Sequence, residues 1–252
     1  MNRQHAFITA VRTALGNPGR DRQRREALFA PVVSAGNDST ADRIRSRGLE
    51  QRMRLLEVLT RRAAPLHLPV IPVDGPAAAT DAVCRLVREK DPEWGDSKSV
   101  VAWQHPLIEQ LNLPEALAPD QIPVHLPETI PQAADRTQAT MRARVVESFI
   151  GITAADYCLA ETATLVIQSG PGRSRSISLV PSIHVAVISL DQIIADLTEL
   201  YALLKQGGND RQEYLSNCMT LITGPSKTAD IELNMVHGAH GPRELHLVVL
   251  LP

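Results

Sequence analysis

Aromatic side chains are scarce in this sequence: three Phe, three Tyr and two Trp among 252 residues, 3% of the chain. Proteins that hold single-stranded nucleic acid stack bases on such rings, so this composition argues against that class and leaves the core to Leu, Val, Ile and Ala. Cysteine is scarcer still. Cys84, Cys158 and Cys218 stand far apart with no CxxC pair, which falls short of the four thiolates of an ordinary iron–sulfur cluster and implies no disulfide framework. They read as buried or half-buried thiols. No apolar run approaches the roughly eighteen residues that a bilayer span needs. The N-terminal MNRQHAFITAVRTALG lacks a sustained signal-peptide core with a cleavage site, so the expected location is cytoplasmic.

What is present is an ordinary globular balance, 44% apolar and 21% charged, in a length that suits one α/β domain with an N-terminal elaboration. The net charge of −2 conceals an asymmetry. Residues 1–62 hold 13 Arg and no Lys against 6 acids, net +7, whereas the remainder is net −9. A basic arm on an acidic body docks on its own body, on a partner subunit or on nucleic acid. The arginines alternate with acids and carry no base-reading motif, which disfavours the last.

Periodicity organises the chain into a basic helical arm, 1–64, and an α/β domain, 65–252. In the arm, helices are expected over Gln4–Leu15 and Ala41–Arg62, the second weakened by Gly48 and separated from the first by a loose stretch from Asn17 to Asp38. In the domain, strands are expected near Leu68–Val73, Val100–Trp103, Phe149–Thr153, Thr164–Gln168, Ile177–Val180, His184–Ser189, Met219–Thr223 and Leu245–Leu251. Helices are expected over Ala77–Glu89, His105–Leu117, Thr137–Phe149, Ala154–Ala160 and Leu190–Leu204, with Gly207 and Gly208 stopping the last. Strands alternating with helices indicate an α/β sandwich with a mostly parallel sheet.

Three constellations carry chemistry. In GITAADYCLAETAT, from Gly151, Asp156 and Glu161 are expected around a helical turn with Thr153, Thr162 and Thr164 beside them. Paired carboxylates divide acid and base duties when their surroundings push their pKa values apart; the plainer reading gives both acids structural hydrogen bonds. GPSKT, Gly224 to Thr228, fails as a Walker A loop because Ser226 stands where glycine must precede the lysine. Its amides, with Ser226, Lys227 and Thr228, suit a carboxylate or phosphate instead; the alternative is a turn with a surface lysine. His237 and His240 sit among glycines rather than on a helix, with His184, His246, Asp230 and Glu232 as possible companions. That spacing favours a histidine that anchors a ligand or carries a proton over a metal site.

Together GITAADYCLAETATLV, SLVPSIHVAVI from Ser178, ITGPSKTADIE from Ile222 and GAHGPRELHLVVL from Gly238 resemble the LUD-domain family, in its lactate-utilisation protein C branch. The resemblance is strong over the last hundred residues. Ala163 stands where the family's AETGT wording has glycine, Lys227 where arginine is common, and Ser182 where a second proline is frequent. The resemblance implies a three-layer α/β/α sandwich similar to the glucosamine-phosphate deaminase, ribose-phosphate isomerase and coenzyme A transferase group, with ligands at the carboxyl ends of strands.

It also implies a role in oxidising L-lactate to pyruvate, with no cofactor in this chain and iron–sulfur clusters on partner proteins. The expected pocket takes a small 2-hydroxy or 2-keto acid or other small anion. Glu161 and Asp156 handle protons, His240 orients, and Thr162, Thr164, Gly224, Ser226, Lys227, Thr228, Asp230 and Gly241 line the anion site. Two other classes stay open: a stand-alone acyl or coenzyme A transferase with Glu161 as nucleophile, and a non-catalytic assembly or regulatory module recruiting partners through the basic arm.

Overall fold

A computed structural model describes residues 3–14, 37–93, 95–127, 134–206, 218–229 and 235–252. Helix α1, Arg3–Ala14, belongs to the unit Met1–Gly36, and everything below to the compact unit Asn37–Pro252. The latter begins with α2, Asn37–Arg45, and α3, Leu49–Ala63. It continues with β1, Val70–Asp74; α4, Gly75–Glu89; β2, Val100–Ala102; the short α5, Pro106–Glu109, and α6, Leu113–Leu117; β3, Val124–His125; and α7, Ala134–Glu147. Then come β4, Ile150–Ala154; β5, Tyr157–Leu159; β6, Thr164–Gln168; β7, Ile183–Ser189; β8, Ile193–Ile194; and α8, Leu197–Gln206. The chain closes with β9, Met219–Thr223; the hairpin β10, Lys227–Ala229, and β11, Met235–His237; and β12, Glu244–Leu251.

Six strands form a parallel sheet in the order β1-β12-β7-β4-β2-β3. Its central strands β4, β7 and β12 are almost continuously buried, as strands covered on both faces must be. A second sheet, β8-β5-β6-β9, is mixed: β6 runs antiparallel to both neighbours, and β5 runs parallel to β8. Strand alternation splits this second sheet between two cores. Leu165 and Ile167 of β6 join the main core with Leu56 and Leu59 of α3, while Val166 faces a smaller cluster with Ala41 and Ile44 of α2 and Leu200 and Leu203 of α8.

Several sequence expectations are corrected. The helix expected over Ala41–Arg62 is two helices, because Gly48 takes an extended conformation and starts α3. Both pack in the compact unit, so the division of contacts falls after Gly36 and not at residue 64. The helix expected over Ala154–Ala160 is extended instead. Its residues pair with β6 and β8, and tertiary pairing overrides the propensity of an alanine-rich segment. Ile177–Val180, expected as a strand, lies in and beyond a 3-10 turn, Arg175–Ser178, opened by Ser174 accepting from the Ser176 amide. The helix His105–Leu117 is interrupted by Asn112 in the left-handed region, and α8 starts only at Leu197 because Ile193–Ile194 is spent on β8. The expected glycine stop at 207–208 and most of the loose stretch, 17–36, lie outside the described residues.

Two buried features hold the layers in register. Arg47 forms a two-pronged ion pair with Glu199 of α8, whose carboxylate also accepts from the Ala195 amide at 2.8 Å. This fastens the joint between α2 and α3 to the start of α8, and its hydrogen bonds offset the desolvation of both charges. At the sheet centre, His184 of β7 is fully buried with Nε2 2.8 Å from Thr153 Oγ1, and burial pushes its pKa down to about 3. In β4, Gly151 permits close approach: a Cβ there would overlap the Ile177 carbonyl oxygen and come 3.1 Å from Pro181 Cγ.

Gly151→Ala is therefore expected to destabilise the fold by about 3 kcal/mol, because the obstruction is backbone and cannot rotate away; a thermal melt unchanged from wild type would contradict the packing described. His184 sets a pH dependence of definite sign. Above its ordinary value of about 6.5 neither state of the protein is protonated there. Below it the unfolded chain binds a proton that the buried ring refuses until about pH 3, so stability falls as pH falls across that window. Between pH 6 and pH 5 the loss is about 1 kcal/mol, measured as a urea midpoint shift that shrinks in His184→Gln.

Candidate functional site

The glycine-rich stretch after β9 forms a closed cradle. Gly224, with φ +74°, turns the chain against Leu66 at the end of α3's overrun, where any Cβ would lie 3.4 Å from the Leu66 carbonyl oxygen. Ser226 ties the cradle together three times. Its amide donates to the Pro242 carbonyl at 2.8 Å, its carbonyl accepts from the Gly238 amide at 3.0 Å, and its Oγ accepts from the His240 amide at 3.3 Å. Gly241 leaves just enough room beside Ser226. Lys227 and Thr228 begin the hairpin β10–β11, and the exposed Lys227 ammonium donates to the Leu66 carbonyl at 3.4 Å.

The cradle meets the turn that precedes β6. Thr162, Thr164 and Thr223 form a chain of hydroxyls, with Oγ1 separations of 2.8 and 2.7 Å, because β6 and β9 pair with Thr164 opposite Thr223. Glu161 stands exposed on this turn, its amide donating to Ala195 O at 3.1 Å; among the described residues no group engages its carboxylate. Ala163 follows with φ +48°, a left-handed conformation that costs a residue with a Cβ about 1–2 kcal/mol.

The structure thus gathers Glu161, Thr162, Thr164, Gly224, Ser226, Lys227, Thr228, His240 and Gly241 at one pole. Asp230 lies outside the described residues. Asp156 is elsewhere, separated from Glu161 by the whole of β5, about 10 Å of strand. Its carboxylate accepts from the Gln168 amide at 2.7 Å and contacts Arg173 at 3.4 Å, a fastening role. Two acids expected around one helical turn are therefore at opposite ends of a strand. The Ser226 amide is also committed to Pro242 and is not open to an anion. His184 and His246 do not join the cradle: the first is sealed in β7, and the second pairs with Glu244 at 3.0 Å, which in turn meets Lys90 at 2.6 Å.

The cradle leads into the amino ends of β12 and, through Leu66, of β1. A second set of polar groups occupies the opposite pole, beyond the carboxyl ends of β2 and β4. There the loop 169–175 is pinned by the Gln104 amide donating to Gly172 O at 3.1 Å and the Trp103 indole donating to Ser174 O at 2.9 Å. His105 is half-buried nearby. Its Nδ1 accepts from the Leu107 amide at 3.2 Å, and burial, then the Arg173 charge, hold its pKa below the ordinary value, with Asp156 and Glu109 opposing. Sequence reading passed over His105, Arg173 and Arg175. The available signal was SGPGRSR, two arginines in a glycine–proline turn straight after a strand.

The profile of the LUD domain matches residues 56–250. A lactate utilization protein C of Halalkalibacterium halodurans is 33% identical over 257 aligned residues, covering 99% of this chain and 98% of the relative. Another protein of that name, from Macrococcus caseolyticus, is 28% identical over 78% of each chain. Among solved structures, a DUF162 family protein from Deinococcus radiodurans superposes with a TM-score of 0.50 at 18% identity, covering 79% of this chain and 98% of its own, which supports the fold. The hydroxyl chain and the Ser226 cradle fall within the matched span, and the chain belongs to the LUD-domain family.

Proposed function

We propose that this chain is a component of a lactate-utilisation system that assists oxidation of L-lactate to pyruvate beside iron–sulfur partner proteins, and that the Ser226 cradle holds a small 2-hydroxy or 2-keto acid anion. The observation that carries the reading is the end-to-end likeness to a lactate utilization protein C, 33% identical over 99% of this chain. It extends the family relation beyond the motifs of the last hundred residues to the whole sequence.

Oxidising a 2-hydroxy acid removes two electrons and two protons, and the electrons need an acceptor. The donor set of this chain does not fit a cluster. Cys84 and Cys158 are buried in the core and burial raises both thiol pKa values, that of Cys158 up to about 12, so neither readily gives the thiolate that iron requires. This supports placing the clusters on partners. The chain's own contribution is then binding and proton handling. Lys227 supplies an exposed positive charge over the cradle, the Thr162–Thr164–Thr223 hydroxyls supply orientable donors, and Glu161 supplies a carboxylate open to solvent that accepts a proton. Thr228, His240 and Gly241 frame the anion. That same accessibility of Glu161 favours the second reading, an acyl or coenzyme A transferase in which its carboxylate attacks a thioester.

A strain deleted for this gene is expected to grow poorly on L-lactate and normally on pyruvate. The wild-type gene should restore growth on lactate, and a Glu161→Ala, Lys227→Ala double variant should not. Restoration by the double variant would remove the site assignment, and unimpaired growth of the deletion strain would remove the lactate role. A covalent acyl adduct on Glu161 after incubation with acyl-coenzyme A would establish the transferase reading instead.

A further inference from the structure

The opposite pole carries its own cleft. A cavity of about 460 Å³ opens by the loop after β6 and the start of β9, lined by Arg173, Ser174, Arg175 and Cys218 together with Pro127 and Met141. It stands beyond the carboxyl ends of β2 and β4. These are the neighbours at which the sheet order reverses, since β2 leads outward to β3 and β4 leads the other way to β7. Open α/β sheets leave a crevice at such a point.

Among the described residues, the lining holds two guanidinium groups and no carboxylate. Asp156, behind the wall, contacts one nitrogen of Arg173, which leaves most of that fork's five donors for other partners. Gly170 keeps the place clear: a Cβ there would stand 3.1 Å from the Arg173 guanidinium. Arg175 donates to the Cys218 thiol at 3.3 Å, a weak acceptor, and among the described residues no carboxylate pairs with it. Two forks of this geometry are suited to the paired oxygens of a carboxylate or phosphate.

Volume bears on the occupant. The cavity falls within the range of small-molecule sites, about 300–1,000 Å³, with room for a body larger than a three-carbon acid. We propose that the cleft lined by Arg173, Ser174, Arg175, Pro127 and Met141 binds an organic oxyanion larger than lactate, with its carboxylate or phosphate on the arginines and its apolar body against Pro127 and Met141. This site is separate from the Ser226 cradle and does not depend on the lactate reading.

Cys218 reports on occupancy, because it lines the cleft at intermediate exposure while Cys84 and Cys158 are buried. The test is the rate at which iodoacetamide alkylates Cys218 in the full chain, followed by mass spectrometry, with phenyl phosphate or phenylacetate as probe. Either probe at millimolar concentration is expected to slow alkylation, and which of them does so identifies the oxyanion. The half-protecting concentration should rise about tenfold in Arg175→Gln, the loss of one charge-assisted hydrogen bond, and stay unchanged in Lys227→Ala. Arg175 is exposed, so its replacement leaves the core intact, and a matching thermal melt verifies this. The absence of protection by both probes, or protection equal in wild type and Arg175→Gln, overturns the proposal.

Discussion

The pairing of β6 with β5 on one side and β9 on the other is the constraint from which the arrangement of functional groups follows. Five residues, Thr164 to Gln168, run antiparallel to both neighbours, and each end of this short strand organises a different pole. At its first residue the Thr164 hydroxyl links Thr162 to Thr223 and so draws the exposed Glu161 turn against the Ser226 cradle. At its last residue the Gln168 amide binds Asp156, which steadies Arg173 over the second cleft. A slip of one residue would exchange Val166 with Leu165 and Ile167 between the two cores, and would break both polar arrangements together.

The strand is held there by layers that leave little freedom. Leu165 and Ile167 belong to the main core and Val166 to the smaller one, so the second sheet acts as a partition between α3 on one side and α2 with α8 on the other. The Arg47–Glu199 ion pair closes that outer layer. Beneath, the parallel sheet is covered so tightly that Gly151 has no space for a side chain under Ile177, and His184 is kept neutral by lack of water. These features are matters of folding and not of chemistry. The exposed groups at the two poles, Glu161 and Lys227 on one and Arg175 on the other, are what a stable core makes available.

The two poles differ in kind. The cradle is closed by its own backbone hydrogen bonds around Ser226 and exposes a single ammonium, which suits a small anion. The cleft is open, has two guanidinium groups and an apolar wall, and sits where the strand order reverses. The family likeness spans both.

Much was legible in the chain itself. Apolar periodicity marked strands near Val100–Trp103, Phe149–Thr153, Thr164–Gln168, His184–Ser189 and Leu245–Leu251, each within a residue of the strands observed, and their continuous hydrophobicity indicated a covered parallel sheet. Local chemistry also placed the turn at Gly224 and marked Gly48 as a weak point, because glycine and proline act over one or two residues, but the split into two helices there came only with the structure. Only the tertiary structure decided that Ala154–Leu159 is extended: the segment's own composition permits a helix, and the partners that make it a strand, Thr164–Val166 and Ile193–Ile194, lie several to dozens of residues away. That decision moved Asp156 away from Glu161 and toward Arg173. It also revealed the arginine cleft, since no local pattern tells that residues 104, 127, 173 and 218 converge at the end of a sheet. Short-range sterics and hydrophobic period are written along the sequence, whereas the meeting of distant polar groups is fixed by strand order and register.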